Sequence, residues 1–448
     1  MTIKCNDMLY RKIQTLIERH LTDGSDKILI VDGARQTGKS YIIRYVGQRL
    51  FTNYIELNME EDALGDRLFA DVRSKEDFYL SLSVAAGERM GNKGDTLVFI
   101  DEIQRYEHLL TLLKFLREDG RFTYIASGSL LGITLRLTPS IPLGSIDIQH
   151  MYPLDLEEFL IANCVGSEAI DEMRKRYGRR QALPDHLHRK MMDLTRKYLL
   201  CGGLPDAVNT FVTEQNIIKV RNIHNQIRRL YQIDASRYED MRSRLKIQRI
   251  YEMIPSNLEN KKKRVVAKDI EGISGKRMAD YQDEFDYLIS SGIALEVKAV
   301  SKPSYPLIQN SGKNLIKLYM NDVGIFTAIL YHNNIQPVMN DASSINLGAV
   351  YETLVAQELR AHGHSLYYFD NKKMGEVEYI IDDCENLSIS PIEVKSGRDY
   401  KIHSALSRLL SIKEYGIKNA YVLSNDGRVW TEAGVTYMPI YYVMFLCS

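Results

Sequence analysis

Eight residues constrain this chain more than any others. They are GARQTGKS at 33–40, entered from the apolar run ILIV and left through IIRYVGQRL, whose periodicity is helical. The spacing is GxxxxGK[ST], with Gly33, Gly38, Lys39 and Ser40 at its fixed positions. Glycines let a strand-to-helix turn wrap its backbone closely around an anion, and the helix that follows offers its unpaired N-terminal N–H groups. The turn therefore predicts a buried strand, a phosphate cradle and a helix, in that order. The expected nucleotide contacts are Gly33, Ala34, Arg35, Gln36, Thr37, Gly38, Lys39, Ser40 and Tyr41. Lys39 is the group to neutralise the β and γ phosphates of ATP, and the Ser40 hydroxyl the one to hold Mg²⁺.

A second element answers the first. LVFIDE at 97–102 is a continuous apolar run ending in two acids. A buried strand of that kind delivers Asp101 to the carboxyl end of the sheet, where it would bind Mg²⁺ through water, while Glu102 would orient and deprotonate the attacking water. IASGSLLG at 125–132 closes another candidate strand with Ser127 and Ser129, placed to sense the γ phosphate, position the water or simply satisfy a turn. NYIELNM at 53–59 and SIDIQHMYPL at 145–154 complete five candidate strands. Helical segments separate them, so the expected core is α/β, a doubly wound parallel sheet.

Composition narrows the remaining possibilities. Lysine plus arginine equals aspartate plus glutamate at 58 each, so only local patches could attract nucleic acid. No signal-peptide pattern and no run of 18 apolar residues is present, which points to a cytoplasmic chain without a membrane partner. The five cysteines are scattered and lack CxxC spacing, which argues against disulfides and zinc. His150 and His403 stand alone, and His362 and His364 flank a glycine between a helix and a strand; all read as structural.

The texture changes along the chain. The first 155 residues hold the P-loop core and 156–240 are helical, as a lid would be. From 241 to 335, three helical pieces and the alternating IALEVKAV suit a winged-helix module, with 275–291 as its recognition-like helix. Its basic residues Lys261, Lys262, Lys263, Arg264, Lys268, Lys276 and Arg277 would give salt-sensitive contacts to DNA phosphates, or simply form a solvated face. The polar stretch at 331–345 marks a boundary, and 345–448 alternates helix and strand. GEVEYIID followed by PIEVKSG outlines a restriction-endonuclease-like core, with Glu393 and Lys395 on one strand face. Glu352, Glu378 and Glu393 with Lys395 are candidates for a second Mg²⁺ site, although Glu378 stands where such cores usually carry aspartate.

GARQTGKS, LVFIDEIQ, ASGSLLG, MYPLDLEEFL at 151–160 and YLLCGGLP at 198–205 occur in that order, followed by KLYMNDVGIF at 317–326 and IEVKSG at 392–397. Together they resemble the bacterial and archaeal family of AAA-type ATPases that carry a C-terminal domain of unknown function. The resemblance spans residues 10–430 and implies an ATP-binding, ATP-hydrolysing core with a helical lid, a winged helix and a nuclease-like end. Many members show an arginine where this chain has Ser145, so no arginine finger is assignable there; Arg136 is the nearest substitute, and an oligomer cannot be assigned. The expected activity is Mg²⁺-dependent ATP hydrolysis by Lys39 and Glu102, driving a conformational switch. The switch is coupled to DNA, or alternatively to a protein partner through an inactive nuclease-like domain; a metal-dependent DNA nuclease is a third reading.

Overall fold

The structure is a computed structural model. It describes residues 8–92, 94–129, 144–235, 241–260, 263–311, 315–340, 345, 347–396 and 403–446. Two compact units emerge: Tyr10–Tyr152 with Ser290–Gly292, and Met1–Leu9 with Pro153–Ile289 and Ile293–Ser448.

The first unit opens with helix α1 (Lys12–Thr22) and continues through strand β1 (Ile28–Asp32), α2 (Lys39–Leu50), β2 (Asn53–Asn58), α3 (Met59–Leu64), α4 (Lys75–Ala86), β3 (Thr96–Asp101), α5 (Glu107–Asp119), β4 (Thr123–Gly128) and β5 (Ile146–His150). The five strands form one parallel sheet in the order β2-β3-β4-β1-β5. All six residues of β3 are buried, as expected of a central parallel strand covered on both faces. Val98 and Ile100 pack with Phe78 and Leu82 of α4 and with Leu109, Leu113 and Leu116 of α5. Register brings the strand ends level: Asp32 lies opposite Gly128 and His150, and Asp101 opposite Asn58. Open α/β sheets bind ligands along this carboxyl edge.

The second unit begins with five helices: α6 (Leu156–Ala162), α7 (Ser167–Gly178), α8 (Asp185–Cys201), α9 (Pro205–Glu214) and α10 (Ile217–Ala235). Then come α11 (Met241–Glu259), α12 (Ala267–Glu271), α13 (Gln282–Ser290), β6 (Ala294–Val300), β7 (Ile316–Met320), α14 (Val323–Tyr331) and α15 (Gln336–Met339). The chain ends with α16 (Gly348–Ala361), β8 (Leu366–Asn371), β9 (Gly375–Asp383), β10 (Ser388–Lys395), α17 (Ser404–Leu410), β11 (Ala420–Ser424), β12 (Trp430–Glu432) and β13 (Val435–Pro439). Asp155 caps α6 in a capping box with Glu158, and Glu358 of α16 accepts from the backbone of Leu156 at 2.7 Å. The PLDLEEF stretch thus joins α6 to the C-terminal region.

Two expectations are revised here. The boundary at 331–345 does not separate two sheets. The β6–β7 hairpin is antiparallel, as wing strands would be, but β6 also pairs in parallel with β8, making the hairpin the edge of an eight-stranded sheet. The reason is burial: five of the seven residues of β6 are buried, too many for a wing facing solvent. The cysteine expectation also fails, since Cys164 is disulfide-bonded, whereas Cys201 and Cys384 are free. Local spacing carries no information about a pairing made by tertiary approach. Among the described residues, no helix is long and apolar enough to cross a membrane.

Candidate ATP site

The phosphate loop departs from β1 through Gly33, whose φ is +134°. A Cβ there would stand 2.3 Å from the Met151 carbonyl oxygen, so the backbone just past β5 leaves room only for glycine. Gly38 caps α2 in the left-handed region at φ +92°. Thr37 is buried and its hydroxyl donates to the Ala34 carbonyl at 2.9 Å. Lys39 folds back over the loop, its ammonium donating to the carbonyls of Gly33 and Ala34 at 2.8 Å each. Burial lowers its pKa to about 8, against the opposing pull of Glu102, Asp101 and Asp32. Tyr41, expected among the nucleotide contacts, is more than half exposed on α2.

Both acids stand at the loop. Ser40 Oγ donates to Asp101 Oδ2 at 2.8 Å, while Ser127 Oγ and the Glu102 N–H donate to Asp101 Oδ1. Burial raises the Asp101 pKa above the usual carboxylate value, and the two serine hydrogen bonds work against that rise. Glu102 sits in the left-handed region at φ +53°, where a side chain costs about 1–2 kcal/mol. Its Oε2 accepts from Ser129 Oγ at 3.0 Å and from Gln104 Nε2. The two serines therefore serve different acids, Ser127 holding Asp101 and Ser129 holding Glu102.

Three contacts escaped the sequence reading. Gln104 follows the acids in a short 3₁₀ turn, where a polar side chain attracts no notice. His150, expected to be merely structural, stands with Nδ1 2.7 Å from Asp32 Oδ1 and its ring centroid 4.3 Å from that of Tyr152. Arg11 reaches the loop from 26 residues upstream, donating to the Thr37 carbonyl at 2.9 Å. Arg136, within the stretch 130–143, lies outside the described residues. Ser145 is buried and bonded to Arg117 at 3.0 Å.

The C-terminal carboxylates converge, but on lysines. Glu352 pairs with Lys263 and accepts from Tyr319 OH at 3.1 Å. Lys395 stands 3.2 Å from Glu393 and 3.8 Å from Glu378, and the fully buried Lys317 pairs with Glu376. Burial, and then the neighbouring Glu393, pushes Glu378 up to about 8. Among the described residues, no group of three or more His, Cys, Asp and Glu side chains is placed to hold a metal ion. Glu352, Glu378 and Glu393, the residues expected to hold a second Mg²⁺, thus stand beside lysine ammonium groups, which supply positive charge within this cluster.

The basic segment is dispersed rather than gathered. Lys261 and Lys262 lie outside the described residues. Lys263 turns inward to Glu352, and Arg264 stands 3.6 Å from Asp370. Lys276 and Arg277 are exposed, yet they precede α13 instead of forming its first turn, which carries Asp283 and Glu284. The helix expected to meet DNA phosphates therefore opens with carboxylates.

Comparison with known proteins agrees with the geometry. Residues 25–160 match an AAA domain family, 192–336 a domain of unknown function (DUF8612), and 347–443 a second one (DUF4143). The similarity to an AAA domain thus falls on the unit that holds the phosphate loop, and similarity to domains of unknown function follows it. No curated protein matches it. Similar solved structures include a Walker-type ATPase of Pyrococcus abyssi, at 14% identity and TM-score 0.44, covering 72% of this chain and 96% of the other. A RuvB Holliday junction branch migration motor of Thermotoga maritima aligns at 17% identity and TM-score 0.27, over 63% and 87%. The Hsp104–ADP complex of S. cerevisiae aligns at 14% and 0.29, over 80% and 42%.

Proposed function

We propose that this chain binds ATP with Mg²⁺, hydrolyses it, and uses the cycle to switch conformation. The observation that carries the reading is the convergence of Lys39, Ser40, Asp101 and Glu102, from separate segments, on one glycine-lined turn at the sheet's carboxyl edge. The cradle fits a polyphosphate: a close backbone, a helix N-terminus and a buried ammonium. The hydroxyl of Ser40 and carboxylate of Asp101 suit Mg²⁺, which would neutralise phosphate charge there. Lys39 would leave the Gly33 and Ala34 carbonyls for the phosphates. With Glu102 Oε2 held by Ser129 and Gln104, Oε1 is the oxygen to take a proton from water. Steady-state hydrolysis by the full chain tests this: Glu102→Gln should lower kcat at least ~10²-fold and leave ATP binding intact. Equal rates would remove Glu102 as the base.

For the coupled partner, we favour a protein over DNA. The inward turn of Lys263 and the acidic start of α13 support this choice, since phosphate contacts need free cations. Retention on duplex DNA at physiological salt should be negligible, and Lys276→Glu with Arg277→Glu should not change it. Salt-dependent retention, or an ATPase rate raised by DNA, would restore the nucleic-acid reading.

A further inference from the structure

We propose that Arg11 is a positioning residue for the phosphate loop, and that it acts on the nucleotide's phosphates through the Thr37–Gly38 peptide without touching them. The proposal rests on the ATP reading above. Arg11 is buried at the start of α1, and its two terminal nitrogens serve different targets. One donates to the Thr37 carbonyl at 2.9 Å, the other to the Tyr152 carbonyl at 2.6 Å. These acceptors are the two ends of one cradle. Thr37 precedes the glycine that caps α2. Tyr152 follows Met151, whose N–H donates to the Asp32 carbonyl at 2.8 Å and whose own carbonyl backs Gly33. One planar guanidinium thus ties the exit of the loop to the wall behind its entrance, a bridge that a single ammonium cannot span.

The consequence follows from peptide geometry. A trans peptide points its C=O and N–H in opposite directions, so holding the Thr37 carbonyl fixes where the Gly38 N–H is aimed. A hydrogen bond from a charged donor also polarises that peptide, which strengthens its N–H as a donor to an anion. Arg11 thereby pre-orients a donor whose freedom phosphate binding would otherwise have to restrict.

The experiment compares Arg11→Gln, Arg11→Lys and Lys39→Ala in the full chain, measuring affinity for ATP and for inorganic tripolyphosphate by calorimetry, with KM and kcat alongside. Arg11→Gln should weaken both ligands by a similar factor of tenfold or more. KM should rise accordingly, with kcat within threefold of the original. Arg11→Lys should fall between, keeping the charge and one of the two bonds. Wild-type affinity in either Arg11 variant overturns the proposal, as does a fall in kcat that tracks lost thermal stability while affinity holds. Where Arg11→Gln fails to fold, Arg11→Lys alone decides by the same criterion. Lys39→Ala separates the two readings: if it binds ATP normally, the ATP site itself is wrong. If it loses ATP while both Arg11 variants keep it, only the Arg11 proposal falls.

Discussion

At the scale of single residues, the site is governed by what burial does to charge. Lys39 is an ammonium held by carbonyls, and burial brings its pKa to about 8 in the free protein. A nucleotide phosphate needs the charged form. The affinity for ATP should therefore hold up to about pH 8 and then fall, approaching tenfold per pH unit, as binding takes up a proton. Calorimetric titrations at pH 7 and 9, in buffers of differing ionisation heat, measure both the decline and the uptake. An affinity flat across that interval would mean that Lys39 stays charged. Lys39 was legible because its spacing from Gly33 and Gly38 is itself the signal. Arg11 was not, because a lone arginine before a helix carries no pattern that points 26 residues ahead.

At the scale of elements, two short turns invite a test. The β3 end places Glu102 in a left-handed conformation, and Ser129 and Gln104 hold its carboxylate from the end of β4 and the adjoining 3₁₀ turn. Ser129→Ala and Gln104→Ala should each lower kcat by roughly tenfold, less than Glu102→Gln, since they orient the base without replacing it. Unchanged KM for ATP would accompany that loss; a matching loss of affinity would place both residues on the phosphates instead. In the other unit, Glu378 on β9 shares a buried cluster with Glu393 and Lys395 on β10. Its carboxyl is raised from 4.5 to about 8, so the folded state keeps a proton that the unfolded chain releases. This contribution to stability is complete below pH 4.5 and declines as pH rises towards 8. Glu378→Gln should flatten that decline in denaturant melts between pH 5 and 8. An identical slope in the variant would assign the pH dependence elsewhere. The sequence showed that Glu393 and Lys395 share a face, because strand alternation is local; that Lys263 and Lys317 would join them was invisible, because they arrive from distant elements.

At the scale of the whole molecule, continuity of the C-terminal sheet is the main departure from the expected layout. Val297 on β6 and Ile392 on β10 are both fully buried in the same eight-stranded sheet. Val297→Ala and Ile392→Ala should each destabilise by about 2–4 kcal/mol and shift the same calorimetric transition. Two transitions, each moved by only one of the variants, would show that the hairpin of β6 and β7 unfolds apart from the rest. Neutral overall charge, with 58 residues of each sign, agrees with a surface that exerts no broad pull on nucleic acid.

The five strands of the first unit, the turn that joins the first strand to its helix, and the two acids that answer it could all be read from the sequence. Apolar runs, glycine spacing and strand alternation are local signals, written in neighbouring residues. That β6 pairs with β8 as well as with β7, that lysines fill the C-terminal carboxylate cluster, and that Arg11 spans the phosphate loop emerged only in three dimensions. Those outcomes depend on which distant groups must share a buried space, where each charge or backbone carbonyl must find a partner.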